Sequence, residues 1–244
     1  MGVIFDWDGV LLDSLGSSFN VYNRLFEKLG AKRLTRDEFL RLQSPNWYEF
    51  YAKVGLPARH WKYVDDEWLR QYNQEKPKLY PDARRCLADL KSEGFRLALA
   101  SNGSEVRVEK ELGEFGLAPL FESVLCGRAK EELKPSPLML QRTLSALGLA
   151  PADAVYVGDA PADVQASRNA GVASVAISRE PILGERLQAE NPDRLFGSLD
   201  ELVAFLSIRS APRRHRRAAV TFLRPEPASG ILACTPKSSR SVHV

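Results

Sequence analysis

From Leu79 to Leu206 the chain alternates short apolar runs with amphipathic segments, the pattern of a parallel sheet covered by helices. Pro81 opens a predicted helix whose apolar positions Ala83, Cys86, Leu87 and Leu90 share one face, and Gly94 stops it. Arg96 to Ala100 reads as a buried strand, Ser104 to Gly116 as a helix, and Phe121 to Leu125 as a strand. Ser136-Pro137 starts a helix carrying Leu140, Leu144 and Leu147 on one face, closed by Gly148. Ala154 to Val157 is the next strand, a helix from Ala162 to Ala170 ends at Gly171, Val172 to Ile177 is strand-like, and a last helix covers Leu199 to Leu206.

Residues 14–78 read differently. They are rich in aromatic and charged residues, with helical periodicity and no convincing strand; Phe19, Tyr22, Leu25, Phe26 and Leu29 make one apolar face. Val3-Ile4-Phe5 resembles the later strands, so the simplest arrangement is a helical subdomain inserted between the first strand and the rest, hinged at Asp13 to Leu15 and Lys76 to Tyr80. The expected fold is an α/β Rossmann-like, doubly wound parallel sheet. Its core is 1–13 with 79–206, its helical cap 14–78, and its tail 207–244.

Composition changes this picture mainly at the tail. The net charge of +3 over 244 residues is unevenly placed. From Ser207 onward eight basic residues face the single acid Glu226, a net of +7, which leaves the body at −4. The tail has Pro, Arg and Ser without period, so disorder is expected there, and deletion after residue 206 should spare folding and activity. An acidic body with a basic tail is not the clustered basic face of a nucleic-acid-binding domain, so no nucleic-acid partner is expected. No stretch approaches the roughly 18 to 20 apolar residues of a membrane span, and the opening Met1-Gly2-Val3-Ile4-Phe5-Asp6 does not resemble an export signal. Cys86, Cys126 and Cys234 are odd in number and lack metal spacing, which excludes a disulfide framework and fits a reducing cytoplasm.

The candidate chemistry follows the strands. Val3-Ile4-Phe5 ends in Asp6-Trp7-Asp8-Gly9, Leu97 to Ala100 in Ser101-Asn102-Gly103, and Val155 to Val157 in Gly158-Asp159-Ala160-Pro161-Ala162-Asp163. Ligands bind at the carboxyl ends of strands in open parallel sheets, so these clusters should converge, with Lys134-Pro135 reaching the same edge. Clustered carboxylates with one lysine suit a hard divalent cation, Mg2+, and an anion beside it. A carboxylate such as Asp6 can attack phosphorus and split one hard displacement into two. Gly9 permits a turn that aims Asp6 and Asp8 at a substrate, Ser101 offers a hydroxyl, the N–H groups of Asn102 and Gly103 can bind a phosphoryl oxygen, and Lys134 supplies positive charge. Asp163 either serves the metal or caps its helix, and Asn102 either binds substrate or shapes the turn. Trp47 and Tyr48 are assigned to the cap interior, although Ser44 to Tyr48 also reads as a candidate substrate loop.

Asp6-Trp7-Asp8-Gly9-Val10, Ser101-Asn102, Lys134-Pro135 and Gly158-Asp159-x-x-x-Asp163 together resemble, in order and spacing, the four motifs of the haloacid dehalogenase superfamily. The resemblance spans residues 1–206. It implies Asp6 as nucleophile, Asp8 as the acid and then the base, Ser101 and Lys134 as the phosphoryl-binding pair, and Asp6, Asp8 (through its carbonyl), Asp159 and Asp163 around Mg2+. An aspartate at position 8 is similar to the phosphatase branch. The β-phosphoglucomutase branch usually carries a cap histidine about ten residues after that aspartate, where this chain has Ser18. The layout is similar to phosphoglycolate phosphatase-like enzymes. The implied activity is hydrolysis of a small phosphorylated metabolite through an aspartyl phosphate; a phosphotransferase or phosphomutase of the same superfamily, or a non-catalytic binding member, are the alternatives.

Overall fold

The computed structural model describes residues 1–44, 47–127 and 129–210. The tail beyond Ser210, with Cys234, and the loop residues Pro45 and Asn46 lie outside the described residues.

Six strands form one parallel sheet: β1 (Gly2–Phe5), β4 (Arg96–Ser101), β5 (Ser123–Cys126), β6 (Ala154–Gly158), β7 (Ala173–Ile177) and β8 (Arg194–Phe196), in the order β5-β4-β1-β6-β7-β8. The chain starts at the centre, builds one half of the sheet through β4 and β5, then returns past β1 to build the other. The carboxyl end of β1 is therefore the switch point at which a crevice opens.

Buried side chains alternate between the two faces, as pleated strands require. Val3, Phe5, Leu97, Leu99, Val155 and Val157 enter one cluster with α5 (Ala83–Ser92), α6 (Glu105–Glu114) and α10 (Leu199–Ser210). Ile4, Ala98, Ala100 and Tyr156 enter the other with α7 (Leu138–Leu147) and α8 (Pro161–Ala170). Covering both faces explains why these strands read as continuous apolar runs in the sequence. The last helix runs four residues past the expected boundary at Leu206.

The helical insert comprises α1 (Leu15–Lys28), α2 (Arg36–Leu42), α3 (Trp47–Lys53) and α4 (Trp61–Glu75) around its own core of Val21, Leu25, Phe26, Phe39, Phe50, Tyr51, Val64 and Tyr72. Thr35 and Glu38 start α2 as a reciprocal cap: the Glu38 N–H donates to Thr35 Oγ1 and the Thr35 N–H to Glu38 Oε2. The expected hinges meet as a two-stranded antiparallel ribbon, β2 (Leu12–Asp13) against β3 (Lys78–Leu79), too short to leave a strand signature in the sequence.

A helix absent from the sequence reading, α9 (Pro181–Ala189), ties insert to core. Its Leu183 packs into the insert's cluster, Arg186 donates to the carbonyls of Leu40 (2.7 Å) and Gln43 (3.3 Å), and Glu180 pairs with Arg36.

Candidate active site

The three strand-end clusters and Lys134 converge as expected. Ligand oxygens of Asp6, Asp159 and Asp163 lie within 4.8 Å of one another at the ends of β1 and β6. Lys134 Nζ, itself buried, sits 2.9 Å from Asp6 Oδ2 and 2.7 Å from Asp163 Oδ1, and donates to the Tyr156 hydroxyl at 2.8 Å. That hydroxyl rises from β6 and lies 2.9 Å from the carbonyl of Ala100 on β4. The phenol thus holds the ammonium from beneath the sheet edge. Tyr156 stands between Val155 and Val157 in a buried strand; a hydroxyl among apolar neighbours was the available signal, and the sequence reading passed over it.

The electrostatics follow from burial. Burial pushes the Asp6 carboxyl up to about 7, with Lys134 offsetting part of the shift and Asp163 adding to it. Burial, then the neighbouring charges of Asp163 and Asp6, raises Asp159 well above the usual carboxylate range. Burial works against the Lys134 ammonium, but Asp163 and Asp6 outweigh it and keep it charged.

The two distal carboxylates differ. Asp163 is fully engaged: Oδ1 meets Lys134 and Tyr156, and Oδ2 accepts the N–H groups of Asp159 (3.1 Å) and Ala160 (2.9 Å) at the start of α8. The cap role is formed, and the same carboxylate also stands within the cluster of Asp6 and Asp159. The Asp159 carboxylate has no hydrogen-bond donor or ion-pair partner among the described residues. Two adjacent carboxylates with raised proton affinity, one of them without a contacting donor among the described residues, form an all-oxygen donor set that fits a hard divalent cation such as Mg2+.

Gly9 explains how Asp159 comes so near. Its φ is +76°, and a Cβ there would lie 1.9 Å from Asp159 Oδ2. Its N–H donates to the Leu12 carbonyl at 2.9 Å and the residue does not line the cavity described below. Gly9 makes the turn expected of it and clears space for Asp159.

Asp8 does not join the carboxylate cluster. The turn at Gly9 points its side chain to Arg107 on α6, whose Nη1 donates to Asp8 Oδ1 at 3.1 Å while Nη2 donates to Oδ2. Arg107 Nη1 also reaches Glu111 Oε2 at 3.0 Å, the Trp7 indole N–H donates to that oxygen at 2.7 Å, and the guanidinium lies over the Tyr72 ring. The Arg107 side chain is 4% exposed against 33% for Asp8. Gly103 permits this approach, since a Cβ there would meet Arg107 Nη2 at 2.4 Å. Arg107 was missed; its signal was an Arg107/Glu111 pair at i,i+4 lying within the apolar stripe of Val108 and Leu112.

Ser101 and Asn102 lie at the same edge. The Gly103 N–H donates to Ser101 Oγ at 3.0 Å. Asn102 grips the Lys134 peptide from both sides, Oδ1 accepting its N–H at 2.9 Å and Nδ2 donating to its carbonyl at 3.4 Å. Beside its predicted alternatives, Asn102 therefore fixes the backbone that carries the lysine.

Above these groups lies a cavity of about 370 Å3 between core and insert. The core contributes Asp6, Asp8, Ser101, Asn102, Arg107, Lys134, Asp159 and Arg186, and the insert contributes Ser18, Tyr22, Trp47, Tyr51, Asp65 and Trp68. Trp47 packs against the insert's core, as assigned, and also lines the cavity; Tyr48, assigned to the interior as well, is instead 38% exposed and stacks on Trp61.

Comparison with known proteins agrees with this architecture. The family model described as haloacid dehalogenase-like hydrolase matches residues 3–177, and the chain belongs to that family. It is 32% identical over 173 residues to a phosphoglycolate phosphatase of Aquifex aeolicus, covering 69% of this chain and 80% of the relative. A phosphoglycolate phosphatase of Vibrio parahaemolyticus is 27% identical over 219 residues, covering 84% and 96%. Among solved structures, a predicted phosphoglycolate phosphatase of Haemophilus somnus superposes with a TM-score of 0.75 at 22% identity, covering 84% of this chain and 97% of that one, and so shares the fold. No helix among the described residues is long and apolar enough to cross a membrane.

Proposed function

We propose that the protein is a Mg2+-dependent phosphatase that hydrolyses a small phosphomonoester through an aspartyl phosphate, with the helical insert (14–78) acting as a cap over the core. The observation that carries this reading is the convergence of Asp6, Asp159 and Lys134 at the switch point of the sheet, with the Asp159 carboxylate making no hydrogen bond or ion pair among the described residues. The phosphoglycolate phosphatase relatives support the reaction class.

Bound between Asp6 and Asp159, Mg2+ would neutralise the carboxylates and the charge of the incoming phosphate. The protein's own groups do the rest. Lys134, fixed by Tyr156 and by the Asn102 grip on its peptide, holds phosphoryl charge together with Ser101. An Asp6 carboxylate oxygen attacks phosphorus, the bond from phosphorus to the ester oxygen breaks, and Asp8 gives its proton to the departing alcohol. Water then attacks phosphorus and loses its proton to Asp8. The acyl phosphate bond breaks, releasing inorganic phosphate and restoring the Asp6 carboxylate. Arg107 orients Asp8 for both proton transfers. The closed cap keeps bulk water from the acyl phosphate.

Ser18 lines the cavity at the position where a mutase would carry a cap histidine, which favours transfer to water over transfer to a sugar. Asp6→Asn should abolish turnover of a generic aryl phosphate and leave the circular dichroism spectrum intact. Turnover at the wild-type rate would reject the assignment.

A further inference from the structure

The chemistry of the cavity's outer wall bears on which alcohol leaves. Tyr22 on α1, Trp47 and Tyr51 on α3 and Trp68 on α4 face the cavity beside Leu15, Leu69 and Leu183. The rings are set against one another rather than loose: Tyr22 lies 5.9 Å from Trp68 and 6.1 Å from Tyr51 between centroids, and Trp68 stacks on Tyr72 at 4.5 Å. The one charged side chain that the described part of the insert brings to this wall is Asp65, an acid, whose carboxylate accepts the Tyr51 hydroxyl at 2.8 Å.

Of the three cations that the described residues bring to the cavity, two are neutralised by carboxylates, and the third, Arg186, is tied to carbonyls of the insert. Lys134 is paired with Asp6 and Asp163, Arg107 with Asp8 and Glu111, and Arg186 donates to the carbonyls of Leu40 and Gln43. A second anionic group on the substrate, such as the carboxylate of phosphoglycolate, would be desolvated against aromatic rings and would approach Asp65. That costs free energy unless Arg186, whose two acceptors are neutral carbonyls, is drawn off them. A flat apolar body in the same place would gain ring contacts and burial.

Resting on the phosphatase reading, we propose that the preferred substrate is a phosphomonoester whose alcohol carries an aromatic or similarly flat ring and no negative charge.

The test compares benzyl phosphate with 2-phosphoglycolate, both esters of unactivated alcohols, so that the comparison reports the pocket rather than the leaving group. With Mg2+ present, kcat/KM should be about tenfold or more higher for benzyl phosphate, the scale on which apolar pockets discriminate. Trp68→Leu should shrink the ratio mainly through KM for the ring substrate. Asp65→Asn, which preserves shape, should shift the ratio toward phosphoglycolate. A ratio near one, or one favouring phosphoglycolate, overturns the substrate class and leaves the phosphatase reading standing; no turnover of either ester overturns both. If Trp68→Leu does not fold, the wild-type ratio and Asp65→Asn decide the matter alone.

Discussion

The two walls of the cavity are built on different physics. The core wall is a lattice of buried charge in which nearly every group has a fixed partner: Lys134 with Asp6, Asp163 and Tyr156; Arg107 with Asp8, Glu111 and the Tyr72 ring. The insert wall sets mutually packed aromatic rings beside the small polar side chains Ser14, Ser18, Gln43 and Ser44, with one acid. The first arrangement is preorganised for charge that develops at phosphorus, and it tolerates little change because each buried ion depends on its neighbours. The second is held by burial and ring contacts, so its composition can vary with substrate while the chemistry stays in place. On the proposed function, reaction type and substrate choice fall to separate parts of the chain.

The comparison breaks most visibly at Arg107. Arg107→Met would leave the buried Glu111 and the part-buried Asp8 without their cation, and on that ground should destabilise the fold by about 3 kcal/mol, measured by urea denaturation, with kcat reduced as well because Asp8 loses its orientation. A stability change below about 1 kcal/mol, the scale of an exposed pair, would mean that the core wall is not the interdependent lattice described.

A smaller effect concerns protons. The Asp6 carboxyl is raised from its ordinary value near 3.8 to about 7, and Asp159 is shifted the same way. A raised folded-state value favours the protonated form. Asp6 therefore contributes stability that is present below the ordinary carboxylate value and is lost as pH rises through about 7 in protein free of divalent ions, and Asp159 acts in the same sense. Mg2+ bound as proposed would take the ionised forms and release protons. Mg2+ should raise the melting temperature more at pH 8 than at pH 5.5, and calorimetry in buffers of different ionisation enthalpy should detect the released protons. An equal shift at both pH values would place the ion elsewhere.

Much of the core wall was legible in the sequence because strand periodicity and local motifs coincide there. Each apolar run from Val3, Leu97 and Val155 ends in a polar cluster, and parallel topology brings those ends together. The side chains that position the reactive groups were less legible, since Arg107, Glu111 and Tyr156 lie inside elements and meet the motifs only through tertiary contacts. β8 was missed because three residues carry too little pattern. The two-residue strands of the hinge were missed for the same reason, and α9 because its buried positions Leu183 and Leu187 are sparse. The insert's aromatic residues were visible as helical periodicity. Which of them turn toward the cavity depends on how α1, α3 and α4 pack, and periodicity does not encode that. Cys86 and Cys126, for which no disulfide framework was expected, are buried and free.

The central claim is that Asp6, rather than water, attacks phosphorus first. The stereochemical course at phosphorus tests it directly, using a phosphorothioate ester made chiral with heavy oxygen and hydrolysed in water of a third oxygen isotope. Two successive in-line displacements, through Asp6 and then water, predict net retention of configuration. Net inversion would mean a single direct attack by water and would contradict the account.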